Sequence, residues 1–176
     1  MISRQLLRSH FRNRSGATAV EFALIAPVFF AIIFSTFEGG WMAIQATMLD
    51  RAVDLAVREI RVGATNAPKN QDEIKAAVCN KAYLLIDCTS SVVIEMTDVS
   101  SNAFPSNKAP CIDRGSKIAP VVNFSPGQRG AIMYVRACLT TDPITPLLGF
   151  ALNMSTDGKG GYFLSSSSAF VNEPSV

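Results

Sequence analysis

Apolar residues along this chain fall into three regimes. From Ala17 to Phe37 they are nearly continuous: 16 of 21 residues are apolar and the one charge is Glu21. As a helix rising about 1.5 Å per residue, this run reaches about 31 Å, enough to cross a hydrocarbon core of about 30 Å. Pro27 lies inside it, where loss of one backbone hydrogen bond predicts a kink that membrane helices tolerate. From Trp41 to Arg61 the pattern turns amphipathic. Ala52, Val53, Ala56, Val57 and Ile60 share one face, while Asp50, Asp54, Arg58 and Arg61 mark the other, with Asp54 and Arg58 spaced as an i,i+4 ion pair. An unbroken helix from Ala17 to Val62 has 46 residues and a length of about 69 Å. Gly63 is placed to stop it. Gly39-Gly40 soften its middle, and Trp41 suits either a membrane interface or packing on a globular domain.

A second helix is predicted from Asn70, with Glu73 as capping-box partner and Ile74, Ala77, Val78, Ala82 and Leu85 as its buried stripe. Period-two alternation then takes over. Val92–Thr97 presents Val92, Ile94 and Met96 to one side, and 128–139 presents Ala131, Met133, Val135, Ala137 and Leu139. Residues 161–171 form a last strand, whose Ser165–Ser168 run reads as a half-exposed strand with small side chains. Between the strands, 100–130 is rich in Ser, Pro, Asn and Gly. It is predicted to be a surface loop, functional or holding one short strand near Ile118–Phe124. Residues 142–157 make a second long return. The expected fold is α+β: a long transmembrane and amphipathic helix, then a second helix packed on an antiparallel sheet of three or four strands.

Charge and cysteine placement add a direction. Of the 176 residues, 1–16 carry Arg4, Arg8, Arg12 and Arg14 and no acid, so the other 12 basic and 14 acidic side chains leave the remainder at −2. Basic residues just before a spanning segment keep that end in the cytoplasm. The expected organisation is a cytoplasmic leader over 1–16, a transmembrane helix over 17–37 and an outward-facing head over 38–176, about 139 residues with room for one core. A nucleic-acid-binding arm fits less well, because the arginines lack interleaved aromatics and abut a membrane helix. The apolar run exceeds the about 7–15 residues of a cleaved secretory signal, which leaves an uncleaved signal-anchor as the alternative. All four cysteines, Cys79, Cys88, Cys111 and Cys138, fall in the head. An even count outside the cytoplasm suggests two disulfides. Four cysteines allow three pairings, and the sequence does not select one. We favour Cys79–Cys88 with Cys111–Cys138, the first requiring that the second helix end and turn back before Cys88.

Catalytic and cofactor chemistry lack their residues. The sole histidine, His10, is in the leader, and no CxxC spacing supports zinc. A Ser/His or Cys/His nucleophile system therefore has no base in the head, and Gly158-Lys159-Gly160-Gly161 reads as a turn rather than a phosphate loop. Asn123 and Asn153 head glycosylation sequons by pattern alone. No enzyme activity, cofactor, metal or nucleic-acid partner is expected.

The chemistry that remains lies at the start of the apolar run. Gly16, four residues, Glu21 and then Phe22 resemble the processing site of type IV-class prepilins of the Flp branch. The longer string from Gly16 through Ala17, Glu21 and Phe22 to Pro27 resembles the TadE-like family, pilin-like proteins of tight-adherence (Tad) pilus systems. Cys79 with Cys88, the 130–136 block and the terminal 170–174 block are similar to parts of that family too. Phe22 replaces the tyrosine usual in Flp pilins, and Ser175 stands where an aromatic is expected. The resemblance implies cleavage after Gly16 by a membrane prepilin peptidase and a new amino terminus at Ala17. Glycine suits such a cut, since it offers no side chain to obstruct a peptidase pocket. Glu21 then sits one turn inside the helix, where the dipole favours a carboxylate by about 0.3–1 kcal/mol. That offsets part of its burial cost, and the ammonium of a neighbouring subunit's Ala17 could offset the rest and fix the stagger between subunits. The expected partners are the prepilin peptidase, other pilin and minor-pilin subunits, the inner-membrane assembly platform and the lipid bilayer. The expected role is that of a minor pilin, needed for pilus biogenesis and adherence, held in a bacterial inner membrane with its head in the periplasm and able to join the extracellular pilus. A signal-anchored periplasmic binding protein is the competing role.

Overall fold

The computed structural model describes residues 16–100, 104, 111–116, 120–145 and 156–173. The arginine-bearing leader, the sequon at Asn153, Ile118 of the proposed short strand and Pro174 lie outside the described residues. Helix α1 runs unbroken over Ala17–Arg61, 45 residues, passing through Pro27 and both glycines of the Gly39-Gly40 pair. Its stop combines two hydrogen bonds: the Gly63 N–H donates to the Ile60 carbonyl and the Ala64 N–H to Glu59. Gly63 adopts φ 62°, so the pair closes a Schellman motif that an L side chain would strain. The first half of α1 is exposed along its length, with Phe22, Leu24 and Phe37 each about two-thirds accessible. The second half buries Leu49, Ala52, Val53, Ala56, Val57 and Ile60, the stripe that periodicity selects.

Helix α2 spans Gln71–Lys81. The Asn70 side chain accepts the Glu73 N–H at 2.9 Å, and the Glu73 carboxylate reaches back to the Lys69 N–H at 2.7 Å, one residue earlier than in the usual capping box. Ile74, Val78, Ala82 and Leu85 are buried and Ala77 is partly buried, but the helix ends at Lys81, so the last two of the buried four pack from a turn. Asp87 takes a left-handed backbone at φ 50°, and the single turn α3, Cys88–Ser91, follows. This reversal brings the Cα atoms of Cys79 and Cys88 within 5.6 Å, and the two are joined in a disulfide.

Three strands complete the head: β1 Val92–Asp98, β2 Ile132–Thr141 and β3 Tyr162–Val171, ordered β1-β2-β3 and antiparallel throughout. The core lies between the inner face of this sheet and the two long helices. Val92, Ile94, Met96, Met133, Val135, Ala137 and Leu139 line it, with α1 packed chiefly on β3. Small residues make that approach possible, since Ser166 stands opposite Ala137 while Ala52 and Ala56 face inward from the helix. The serine run thus divides, with Ser166 buried and Ser165 and Ser167 exposed. Among the described residues a fourth strand is seen only as a parallel bridge of Phe124 to Met96 along the β1 edge.

Residues 111–116 of the loop between β1 and β2 lie against the outer face of the sheet, and β2 is buried on both sides. Cys111 is bonded to Cys138 on β2, and the Thr140 hydroxyl donates to the Ile112 carbonyl at 2.7 Å. Among the expected helix-surface ion pairs, Asp54–Arg58 is not formed: both face solvent, where such a pair contributes only about 0.3–0.5 kcal/mol. The helix instead ties to other elements, through Lys81–Glu59 at 3.0 Å and Arg61–Glu173 at 2.6 Å.

Candidate assembly helix and the polar junction at its outer end

The residues singled out at the amino end lie together on one exposed helical segment. Gly16 precedes the helix with no side-chain cap, Ala17 is its first residue, and Glu21, Phe22 and Pro27 are all exposed. Glu21 makes no hydrogen bond or ion pair with any described residue. A carboxylate on an apolar helix surface without an intrachain partner is costly in hydrocarbon, by at least a few kcal/mol. Farther along, Ser35 and Thr36 return their hydroxyls to the Ala31 and Ile32 carbonyls at 2.7 and 2.8 Å, so the span shows no free side-chain donor there. Beside Pro27 a shallow groove is lined by Val28, Ala31, Ile32, Ser35 and Thr36. The cysteines lie in the head, remote in sequence from this segment, and serve the fold.

At the carboxyl-terminal end of the apolar stretch stands a second acid that pattern reading passed over. Glu38 immediately follows Phe37, yet it is fully buried. One carboxylate oxygen accepts the Thr145 N–H at 2.8 Å and the Thr145 hydroxyl at 3.1 Å, and the other has no hydrogen-bond partner among the described residues. Two turns on, buried Gln45 bridges α1 to the sheet. Its amide N–H donates to the Thr141 hydroxyl at 3.0 Å, and its carbonyl oxygen accepts the Tyr162 hydroxyl at 3.0 Å. Burial, with the Glu38 and Asp142 charges adding to it, pushes the Tyr162 phenol up to about 12.

Arg114 closes the same end of the head. It forks onto Asp142, with Nη1 donating to Oδ2 at 2.8 Å, and its Nε donates to Asp157 at 2.6 Å. These hydrogen bonds raise the guanidinium and lower Asp142. Burial alone would raise Asp157. Hydrogen bonds from Arg114 and from the Gly161 and Lys159 N–H groups outweigh it and hold this carboxyl at about 2. Backbones pack tightly here: a Cβ on Gly115 would lie 2.7 Å from the Gly158 Cα, and one on Gly161 would strike Arg114. The only sequence signal for Glu38 is its place, a lone acid at the exit of an apolar run. Arg114, Asp142 and Asp157 are 15 to 43 residues apart and share no motif.

A long exposed apolar helix, continuous with a disulfide-tied α+β head, fits a membrane-anchored protein: by length and composition Ala17–Arg61 contains one candidate span. Residues 16–58 match the family model described as TadE-like protein, covering the exposed half of α1 and most of its buried half. The match is to 43 of the 176 residues, so it is a likeness of this helical segment to that family. No curated protein and no solved structure matches the chain.

Proposed function

We propose that this chain is a minor pilin or pilin-like assembly protein of a Tad/Flp pilus, inserted with its leader inside and its head in the periplasm. A prepilin peptidase trims it after Gly16, and it then joins other pilins through the assembly platform. The observation that carries this reading is Glu21: a carboxylate without a partner among the described residues, on the exposed apolar part of the TadE-like segment. A neighbouring Ala17 ammonium, released by cleavage, supplies the missing charge, and the pair sets axial stagger more than it adds stability. Mass spectrometry of the native protein tests the first step. A chain starting at Ala17 is expected, and an intact Met1 in a strain with normal pili refutes it in favour of the uncleaved anchor. The second step is read by Glu21→Ala, which is expected to insert normally but to lose co-purification with other pilus subunits. Wild-type recovery of those subunits would rule the pairing out.

A further inference from the structure

The rim of the head that faces the span carries apolar side chains which neither the core nor the assembly helix uses. Ile86, at the α2–α3 reversal, is 77% exposed, and Ile144, just after β2, is 57% exposed. They come from chain segments 58 residues apart, yet both line one cleft of about 290 Å³ with half-buried Trp41 and buried Gln45. That cleft fixes their height. Trp41 and Gln45 lie four and eight residues beyond Phe37, about 6 and 12 Å along a straight helix, less once it tilts. A bilayer adds about 5–8 Å of headgroup layer to each side of its hydrocarbon core. Since α1 continues through this region without a linker, the lower rim of the head sits in the headgroups whenever 17–37 spans.

The geometry points to a second membrane contact, in which Ile86 and Ile144 dip into the outer leaflet beside Trp41 and seat the head on the lipid surface. The occupant of this rim is the headgroup–acyl boundary of the bilayer. Continuity with the apolar helix argues for it, and so does composition, an indole flanked by two branched aliphatics where amphipathic aromatics normally anchor. Exposed Asp87, next to Ile86, gives the ammonium of an ethanolamine headgroup a partner. With contacts on more than one side of the axis the head holds one tilt relative to the membrane plane. A spanning helix alone leaves that tilt free.

This inference rests on the spanning reading of 17–37, and the experiment separates the two. Trp41 is the only tryptophan, so in a Trp41→Phe background Ile86→Trp or Ile144→Trp provides a single emitter at each position. Val171→Trp, at the far end of β3 opposite Ile132, serves as the distal control. The full chain is reconstituted in phosphatidylethanolamine–phosphatidylglycerol vesicles containing lipid labelled with nitroxide near the headgroup. Quenching at 86 and at 144 is expected to exceed that at 171 by at least about twofold. Quenching equal to the control, in protein that resists carbonate extraction, overturns the contact and leaves the span standing. Blue-shifted emission without lipid quenching overturns it too, and assigns the rim to a protein partner. Extraction of the chain by carbonate removes both readings.

Discussion

Two acids bracket the apolar run, and their surroundings set different tasks for them. Glu21 is exposed on the helix with no side-chain partner among the described residues, whereas Glu38 is sealed inside and engages Thr145. Glu38→Ala strands the Thr145 N–H, and a buried donor left unpaired costs about 1–3 kcal/mol. Glu38→Gln keeps an acceptor and is expected to unfold close to wild type; a denaturant titration in detergent distinguishes the two. Asp157 makes a prediction about acid. Its folded value of about 2 lies below the ordinary carboxylate range near 3.9, so its contribution is complete above about pH 4 and lost as pH falls toward 2. Arg114→Met removes its main charge partner. We expect a loss of about 2–3 kcal/mol at neutral pH, after allowing for the partial exposure of Arg114, and an acid transition moved to higher pH. An acid-unfolding midpoint equal to wild type would show that the backbone N–H groups alone hold Asp157.

Elements declared themselves in the sequence in proportion to how local their causes are. The end of α1 at Gly63, the cap of α2 at Asn70 and the inward-facing residues of β1 and β2 were legible, because glycine, capping pairs and period-two alternation act within a few residues. Three features were not. Among the described residues the fourth strand is reduced to the Phe124 bridge, Asp54–Arg58 gives way to bonds between elements, and the Arg114 cluster draws on both long loops between the strands. Each is decided by long-range packing that no window of sequence contains. The candidate site divides in the same way: Glu21 was visible as a charge in an apolar run, while the burial of Glu38 depends on contacts such as Thr145, 107 residues away. The disulfides belong to this scale. Cys111–Cys138 holds the crossing loop against β2 and closes a 27-residue separation. Replacing both cysteines by serine should cost about 2–4 kcal/mol through loop-closure entropy, lowering the thermal midpoint while the far-ultraviolet spectrum at room temperature stays unchanged. A native midpoint in the double variant would show that Thr140 and Arg114 already hold the loop.

The whole molecule divides at Phe37. No residue of 17–37 is buried, and the first buried side chain of α1 is that of Glu38. The head is therefore expected to fold without the span: a secreted fragment of 38–176 should melt cooperatively with both disulfides formed, as followed by circular dichroism. A fragment that stays unstructured would mean that the apolar half of α1 contributes to the fold. What divides in burial does not divide in backbone, because α1 is one rod across the boundary. Register along that rod becomes a setting of azimuth. Each helical residue turns the chain by about 100° and lifts it by about 1.5 Å, so one alanine inserted after Phe37 would swing the head by more than a quarter turn relative to Glu21. A variant and a wild-type subunit keyed through their amino ends would then present their heads in different compass directions, with every contact inside each head intact.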